Sequence, residues 1–292
     1  MKLTLPKIKL PTLRKVKVSL SLQITEKVLR ILDLNQEKKP VFEPVEVIWE
    51  GKSDSEKINI LKTYVDRYNL KGRDVISCLS VNDGLLKFYK YPVTMSQKDL
   101  QHAIDWAIKR ELSMIKEGTL YDYYILEKSK ESKNVIMLLT LAREEAINNL
   151  KKIVESAGMK LRILDYEVIT VVNYGLYNKL SIPFSVLYVD YGYALLVTYS
   201  PINVSYFVIP WSYTEYLNKK DEQSLENFFA EVRNIVVIND LSSIYIAGPI
   251  LSEESLLTRV LENLPILGLL DIESIKPNFF IPYTLSIRGM EG

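Results

Sequence analysis

The chain has one cysteine and one histidine in 292 residues. Cys78 alone excludes an internal disulfide, and within the apolar run Asp74 to Val81 it reads as a small buried side chain in a reducing compartment. His102 alone excludes any site that needs two imidazoles, common zinc arrangements included, and its charged and polar neighbours place it on a helix surface. A net charge of +1 excludes the basic field that marks many nucleic-acid binders, so no such partner is expected. Neither GxxxxGK[ST] nor GxGxxG occurs. The most apolar stretch, Ser181 to Trp211, is broken by Pro183, Asp190, Pro201 and Asn203 and suits several short strands better than one spanning helix. No apolar secretory signal is present, so a cytoplasmic location is expected. The acid pairs Glu144-Glu145 and Glu253-Glu254 fall at helix starts, where the helix dipole accounts for them, and neither a catalytic residue nor a metal site is expected.

At 48% hydrophobic and 25% charged, the chain has the composition of a soluble globular protein with room for two cores. Residues 1–17 carry Lys2, Lys7, Lys9, Arg14, Lys15 and Lys17 and no acid; this basic arm reads either as a contact to an anionic membrane surface or as a solvated tail. The most informative stretch is Ser185 to Pro210, SVLYVDYGYALLVTYSPINVSYFVIP, in which three strand-like runs are separated by turns. Asp190-Tyr191-Gly192 forms the first turn. It reads as an ordinary hairpin turn or as a carboxylate at a strand tip, with a glycine that brings a backbone N–H to an anion or supplies positive φ.

Taken in order, residues 18–81 give three strands, a helix and a strand, the helix opened by a capping box at Ser53 and Glu56. Residues 85–164 read as β-α-β-β-α-β, a split ferredoxin-like unit whose first helix is capped by Ser96 and buries Leu100, Ile104, Ala107, Ile108 and Leu112. After a helix at 168–180, three strands, a helix and a strand recur. Repetition of one unit implies two similar lobes facing each other.

Four passages resemble the PilM family, the actin-like cytoplasmic component of the type IV pilus inner-membrane assembly complex. They are VTMSQKDLQHAIDWAIKREL (Val93 to Leu112), LAREEAINNLKKIVESAGMKLRILDYE (Leu141 to Glu167), the LYVDYGYALLVTY hairpin, and FFIPYTLSIRGMEG (Phe279 to Gly292). The resemblance implies an α/β, actin-like (ribonuclease H-like) fold of duplicated lobes with an inserted ferredoxin-like or SHS2-type module. It divides the chain into the arm at 1–17, a first lobe at 18–84 and 165–182, the module at 85–164, and a second lobe at 183–292. The subdomain that covers the nucleotide is expected to be reduced, at about 212–240. It further implies a scaffold, peripheral on the inner membrane, that grips the N-terminal cytoplasmic tail of a single-span, PilN-like pilus assembly protein. The assembly ATPases, the platform protein and a second copy of the chain are further partners that it suggests. The tail's groove is expected between the first lobe and the module, with Trp106 as a candidate wall or, alternatively, a core residue.

Departures from that family bear on ATP. Where the first hairpin of the family has an Asp-x-Gly followed by small hydroxylated residues and a Lys, this chain has Leu22-Gln23-Ile24-Thr25-Glu26-Lys27. Only Lys27 corresponds, and Glu26 would repel phosphate. Asp190 and Gly192 keep the second hairpin's motif, but bulky Tyr193 follows; Gly248 stands near the adenosine-contacting position, followed by Pro249, which has no N–H. The resemblance thus marks Lys27, Asp190, Gly192 and Gly248 as vestigial nucleotide-binding positions. No cofactor is expected, ATP with magnesium being the alternative. A working actin-like ATPase of the same machinery, or a type II secretion assembly component, are the competing readings; the second usually continues into a membrane helix, and none is expected within residues 1–292.

Overall fold

A computed structural model describes residues 17–115, 118–126, 133–272 and 274–291. Most of the basic arm, and most of the expected charged turn at Glu127 to Lys133, lie outside the described residues.

Two five-stranded sheets carry the molecule. The first is built from β1 (Leu20–Ile24), β2 (Val28–Asp33), β3 (Val45–Ile48), β4 (Asp74–Leu79) and β8 (Lys160–Tyr166), in the order β3-β2-β1-β4-β8. The second uses β9 (Phe184–Val189), β10 (Ala194–Ser200), β11 (Asn203–Ile209), β12 (Ile244–Ala247) and β13 (Ile266–Leu269), in the order β11-β10-β9-β12-β13. Each is an antiparallel meander continued by two parallel strands, so the expected duplication is present strand for strand. Continuous apolar runs such as Phe184–Val189, buried along their whole length, form strands because both faces of each sheet are covered.

Helices supply the cover. α1 (Asp54–Arg67) begins at Ser53, whose side chain and that of Glu56 close the expected capping box. α4 (Glu167–Tyr177) and α8 (Phe280–Glu291) lie between the lobes, with the rings of Tyr174 and Phe280 4.4 Å apart. α8 returns to the first lobe, where Ser21 Oγ donates to the Pro282 carbonyl at 2.7 Å. The largest core cluster is therefore shared: Ile76 and Cys78 of the first sheet, Val186 and Tyr188 of the second, and Val171 and Phe280 of the two helices. Between β11 and β12 the chain forms only α5 (Tyr213–Lys219) and α6 (Glu222–Ile238). No helix of the described residues is long and apolar enough to cross a membrane.

The inserted module differs from the six-element expectation. β5 (Gly84–Pro92), α2 (Gln97–Met114), β6 (Thr119–Ile125) and β7 (Asn134–Arg143) form a three-stranded sheet, β5-β7-β6, with Ile104, Ala107 and Ile108 of α2 packed on Met137, Leu139 and Leu141. This is a strand-helix-strand-strand unit. The next two elements, α3 (Glu144–Ser156) and β8, belong to the first lobe, because Ile153, Val154 and Met159 pack with Leu20 and Leu22 and β8 pairs in parallel with β4. Apolar periodicity identified the elements but carries no record of which sheet a strand joins.

Candidate functional site

The two meander hairpins meet tip to tip. Lys27 follows β1 and Gly192 follows β9; a Cβ at Gly192 would stand 3.1 Å from Lys27 Cε, which makes a side chain there a tight fit. Gly192 does not adopt positive φ, so close approach, the other expected use of this glycine, is what the turn requires.

Behind the tips a side chain that the sequence did not single out fills the gap between the lobes. Arg30, in the middle of β2, is fully buried. Its Nη2 donates to Asp190 Oδ1 at 2.8 Å and its Nη1 to Asp190 Oδ2 at 3.2 Å, a two-pronged ion pair from one lobe to the other. Nη1 also donates to Gln23 Oε1 at 2.7 Å, while Nε donates to Glu46. The guanidinium carbon lies 4.9 Å from the ring centre of Tyr191.

Every acceptor position of Asp190 is engaged. Oδ1 also accepts the Tyr191 amide at 2.8 Å, and Oδ2 accepts the Tyr188 hydroxyl at 2.9 Å and Gln23 Nε2 at 3.3 Å. Burial pushes this carboxyl up, but the charge and hydrogen bonds of Arg30 outweigh it and hold Asp190 below the usual carboxylate range. Burial likewise works against the Arg30 cation; Asp190, Tyr188 and Glu46 reverse that and keep it firmly charged. A second tier closes the front of the cluster: Tyr191 OH donates to Glu46 Oε1 at 2.8 Å, and Asn278 Nδ2 donates to the same oxygen at 2.9 Å.

These residues do not fit a magnesium-bound triphosphate. Asp190 is 2% exposed, with no lone pair left for a metal ion. Lys27 Nζ is held by Glu50 at 3.2 Å and Ser212 Oγ at 3.4 Å. Gly248, at φ +98°, serves the backbone: a Cβ there would stand 2.6 Å from the Val189 carbonyl oxygen. Lys27, Asp190 and Gly192 are thus brought together, as expected, but around an internal ion pair; Gly248 packs against β9. The signal for Arg30 was available, since a charged residue inside the apolar run VLRILD has to be paired.

An open cleft lies elsewhere, between the first lobe and the module. One part, of about 920 Å³, is lined by Asp54 of α1, Thr119 of β6, and Arg143, Glu144, Asn148 and Lys152. A smaller part, of about 380 Å³, runs under the first hairpin tip between Ile24, Glu26, Leu79, Asp83 and the α3 residues Ala146 and Leu150. Arg143, Glu145 and Asn149 line both parts. The smaller part sets apolar side chains such as Ile24, Leu79 and Leu150 among polar ones, whereas the larger part is lined almost entirely by polar and charged residues. Trp106 lines neither part: it is 61% exposed on the face of α2 turned away from the module's core, with the Arg110 guanidinium 4.9 Å from its ring centre. The core reading of Trp106 is therefore wrong.

The paired sheets define a protein of the actin-like ATPase fold. Its fold is shared with a chain of the "PilM-PilN type IV pilus biogenesis complex", at a TM-score of 0.76 and 15% identity over 95% of this chain and 100% of that one. The likeness to the PilM family read from the sequence is borne out in the fold. A Bacteroides thetaiotaomicron protein with the actin-like ATPase fold and unknown function aligns at a TM-score of 0.55, with 9% identity over 93% of this chain and 96% of that one. The cytoplasmic domain of EpsL, an inner-membrane component of the type II secretion system of Vibrio cholerae, aligns at 0.53, with 11% identity over 94% of each chain. No family model and no curated protein matches the sequence.

Proposed function

We propose that this chain is a cytoplasmic, actin-like adaptor of a type IV pilus or related inner-membrane assembly platform, one that works by being gripped and not by turning over ATP. One observation carries the reading: the position between the hairpins is filled by Arg30, whereas the cleft beside the module is open. The cleft takes the cytoplasmic tail of a membrane-anchored, PilN-like partner in extended form. Acids outnumber bases along its two parts, with Glu26, Asp54, Asp83, Glu144 and Glu145 against Lys57, Arg143 and Lys152. A tail with basic side chains complements that rim.

The likeness of the fold to the PilM–PilN complex and to EpsL supports the class of machine, with the type II secretion reading second because its TM-score is lower. Two measurements on the purified protein test the proposal. Magnesium and ATP are expected to leave the melting temperature unchanged, and a pull-down from native membranes is expected to recover a single-span pilus or secretion component. An ATP-dependent rise in melting temperature, or recovery of no such component from membranes shown to contain them, overturns it.

A further inference from the structure

The module's sheet ends on one side at β6, and among the described residues no other sheet edge is left so open. Six of the seven residues of β6 are exposed; the large side chains of Leu120, Tyr121, Tyr123, Tyr124 and Ile125 are between 36% and 61% exposed. Asp122 is the one charge on the strand, which has neither lysine nor proline. The register with β7 fixes which backbone groups are spare. Glu144 N donates to the Gly118 carbonyl at 2.8 Å and Leu126 N to the Ile136 carbonyl at 2.9 Å, so the even-numbered residues of β6 bond to β7. The N–H and C=O groups of Tyr121, Tyr123 and Ile125 therefore point outward, away from the sheet. Asp122 Oδ1 accepts the Tyr123 N–H at 2.8 Å, standing where a neighbouring strand's carbonyl would be.

The remaining edges of the three sheets show how this fold closes such rows. β3 and β13 have only four residues each. β8 carries Lys160 and Arg162, and β5 carries Lys87, Lys90 and Pro92, with the Leu86 N–H donating to Tyr206 OH at 3.3 Å. β11 exposes only Asn203 and Val208, because Tyr206 and Phe207 pack into the two cores on either side of it. Short length, lysine, proline and cover are the ordinary devices that keep an edge from pairing. Among the described residues β6 has none of them.

We propose that β6 pairs with β6 of a second copy of this chain, antiparallel and about a twofold axis at Tyr123, so that the two module sheets become one. In that register Tyr123 meets its own counterpart and Tyr121 meets Ile125, and their outward groups exchange about six hydrogen bonds. These side chains share the face of the sheet that α2 covers, since they stand opposite Met137, Leu139 and Leu141. On the other face Asp122 stands across the axis from Tyr124, twice. An axis at Asp122 would instead oppose the two carboxylates, which like charges disfavour. A strand pair of this length covers less than a standard interface, so the dimer is weak, with Kd on the order of 10–100 µM. Thr119 opens β6 and also lines the larger part of the cleft. Pairing therefore holds two clefts side by side, their Thr119 residues roughly 25 Å apart, and a dimeric membrane partner would be held by both of its tails. This goes beyond the adaptor reading and is tested without tail or membrane, so that the two can fail separately.

The experiment is sedimentation velocity of the full chain from about 1 µM to about 300 µM, with monomer expected at the lower end and dimer at the upper. Tyr123→Pro removes an outward N–H that β7 does not use and is expected to weaken association at least about tenfold. Tyr124 tests the register by sign. Tyr124→Glu sets a carboxylate opposite Asp122 on both sides of the axis and is expected to weaken association at least about threefold, whereas Tyr124→Lys sets a cation there and is expected to tighten it about threefold. Loss of the apolar ring alone would weaken both. The control Leu267→Lys, on the exposed edge strand β13, is expected to associate as the parent does. A monomer at the highest concentration, unchanged association in Tyr123→Pro, equal weakening by Tyr124→Lys and Tyr124→Glu, or equal loss in the control each overturns the proposal.

Discussion

The two lobes are one design executed twice, and their difference lies in what the turns and a single strand residue carry. Arg30 of β2 and Leu195 of β10 hold the same place after their hairpins, opposite Gln23 and Tyr188, and both are fully buried, yet one is a guanidinium ion-paired to the other lobe and the other is a hydrocarbon in the shared core. Alternation and turn chemistry suffice to build both sheets. One charged residue in one of them joins the two hairpins through an ion pair that crosses from lobe to lobe. Asymmetry within a duplicated fold is thus a direct pointer to what the protein has kept or abandoned.

The heaviest blow to that junction is loss of its cation. Arg30→Met leaves Asp190 buried and unpaired, at a cost of about 3–5 kcal/mol. Urea melts are expected to show the loss, and Arg30→Met with Asp190→Leu to recover most of it, because the pair exists to neutralise itself. A double variant no more stable than Arg30→Met alone breaks the picture of a self-contained lock.

A second test addresses the neighbouring carboxyl. Glu167 is buried at the start of α4, where Oε2 accepts the Val81 amide at 2.9 Å and Oε1 accepts the Tyr193 hydroxyl, tying the base of the module to the second hairpin. Burial pushes its pKa up from 4.5 to about 7, against those two hydrogen bonds and with Asp190 adding to the rise. Between pH 4.5 and 7 the folded protein holds a proton that the unfolded chain has released, so stability falls as pH rises through that window and levels off above it. The fall amounts to at most roughly 3 kcal/mol. Glu167→Gln is expected to flatten the profile; an unchanged slope assigns it to another group.

Gly248 distinguishes structure from vestige. If it serves only the approach to β9, then Gly248→Ala costs about 1–3 kcal/mol through positive φ and the Val189 carbonyl, whatever nucleotide is present. A variant of parental stability with altered nucleotide response refutes this.

Much of the frame was legible. The caps at Ser53 and Ser96, the antiparallel meanders and the repeat of one unit follow from local pattern, because capping and alternation are properties of short segments. What escaped was non-local. Whether β8 joins the module or the lobe depends on which core α3 covers, and the significance of Arg30 depends on a partner 160 positions away. Asp190 and Gly192 were located by the hairpin pattern and Lys27 by the family resemblance, but only their surroundings show what holds them. For Trp106 the core alternative failed, because helical spacing places a residue on a face without saying which face is covered, and this face is the solvent one.

That exposed tryptophan supplies the finest discrimination. Trp106 lines neither part of the cleft, so Trp106→Ala is expected to change stability by less than about 0.5 kcal/mol and to leave tail binding as it was. Glu145 lines both parts, and Glu145→Arg places a cation where a basic tail would lie, with an expected loss of about tenfold in affinity and little change in melting temperature. Titration of both variants with the captured partner's tail, read by fluorescence anisotropy, separates the surfaces. The reverse result, with binding lost in Trp106→Ala and kept in Glu145→Arg, moves the grip from the first lobe's cleft to the outer face of α2, and the buried junction would then lie far from anything the partner touches.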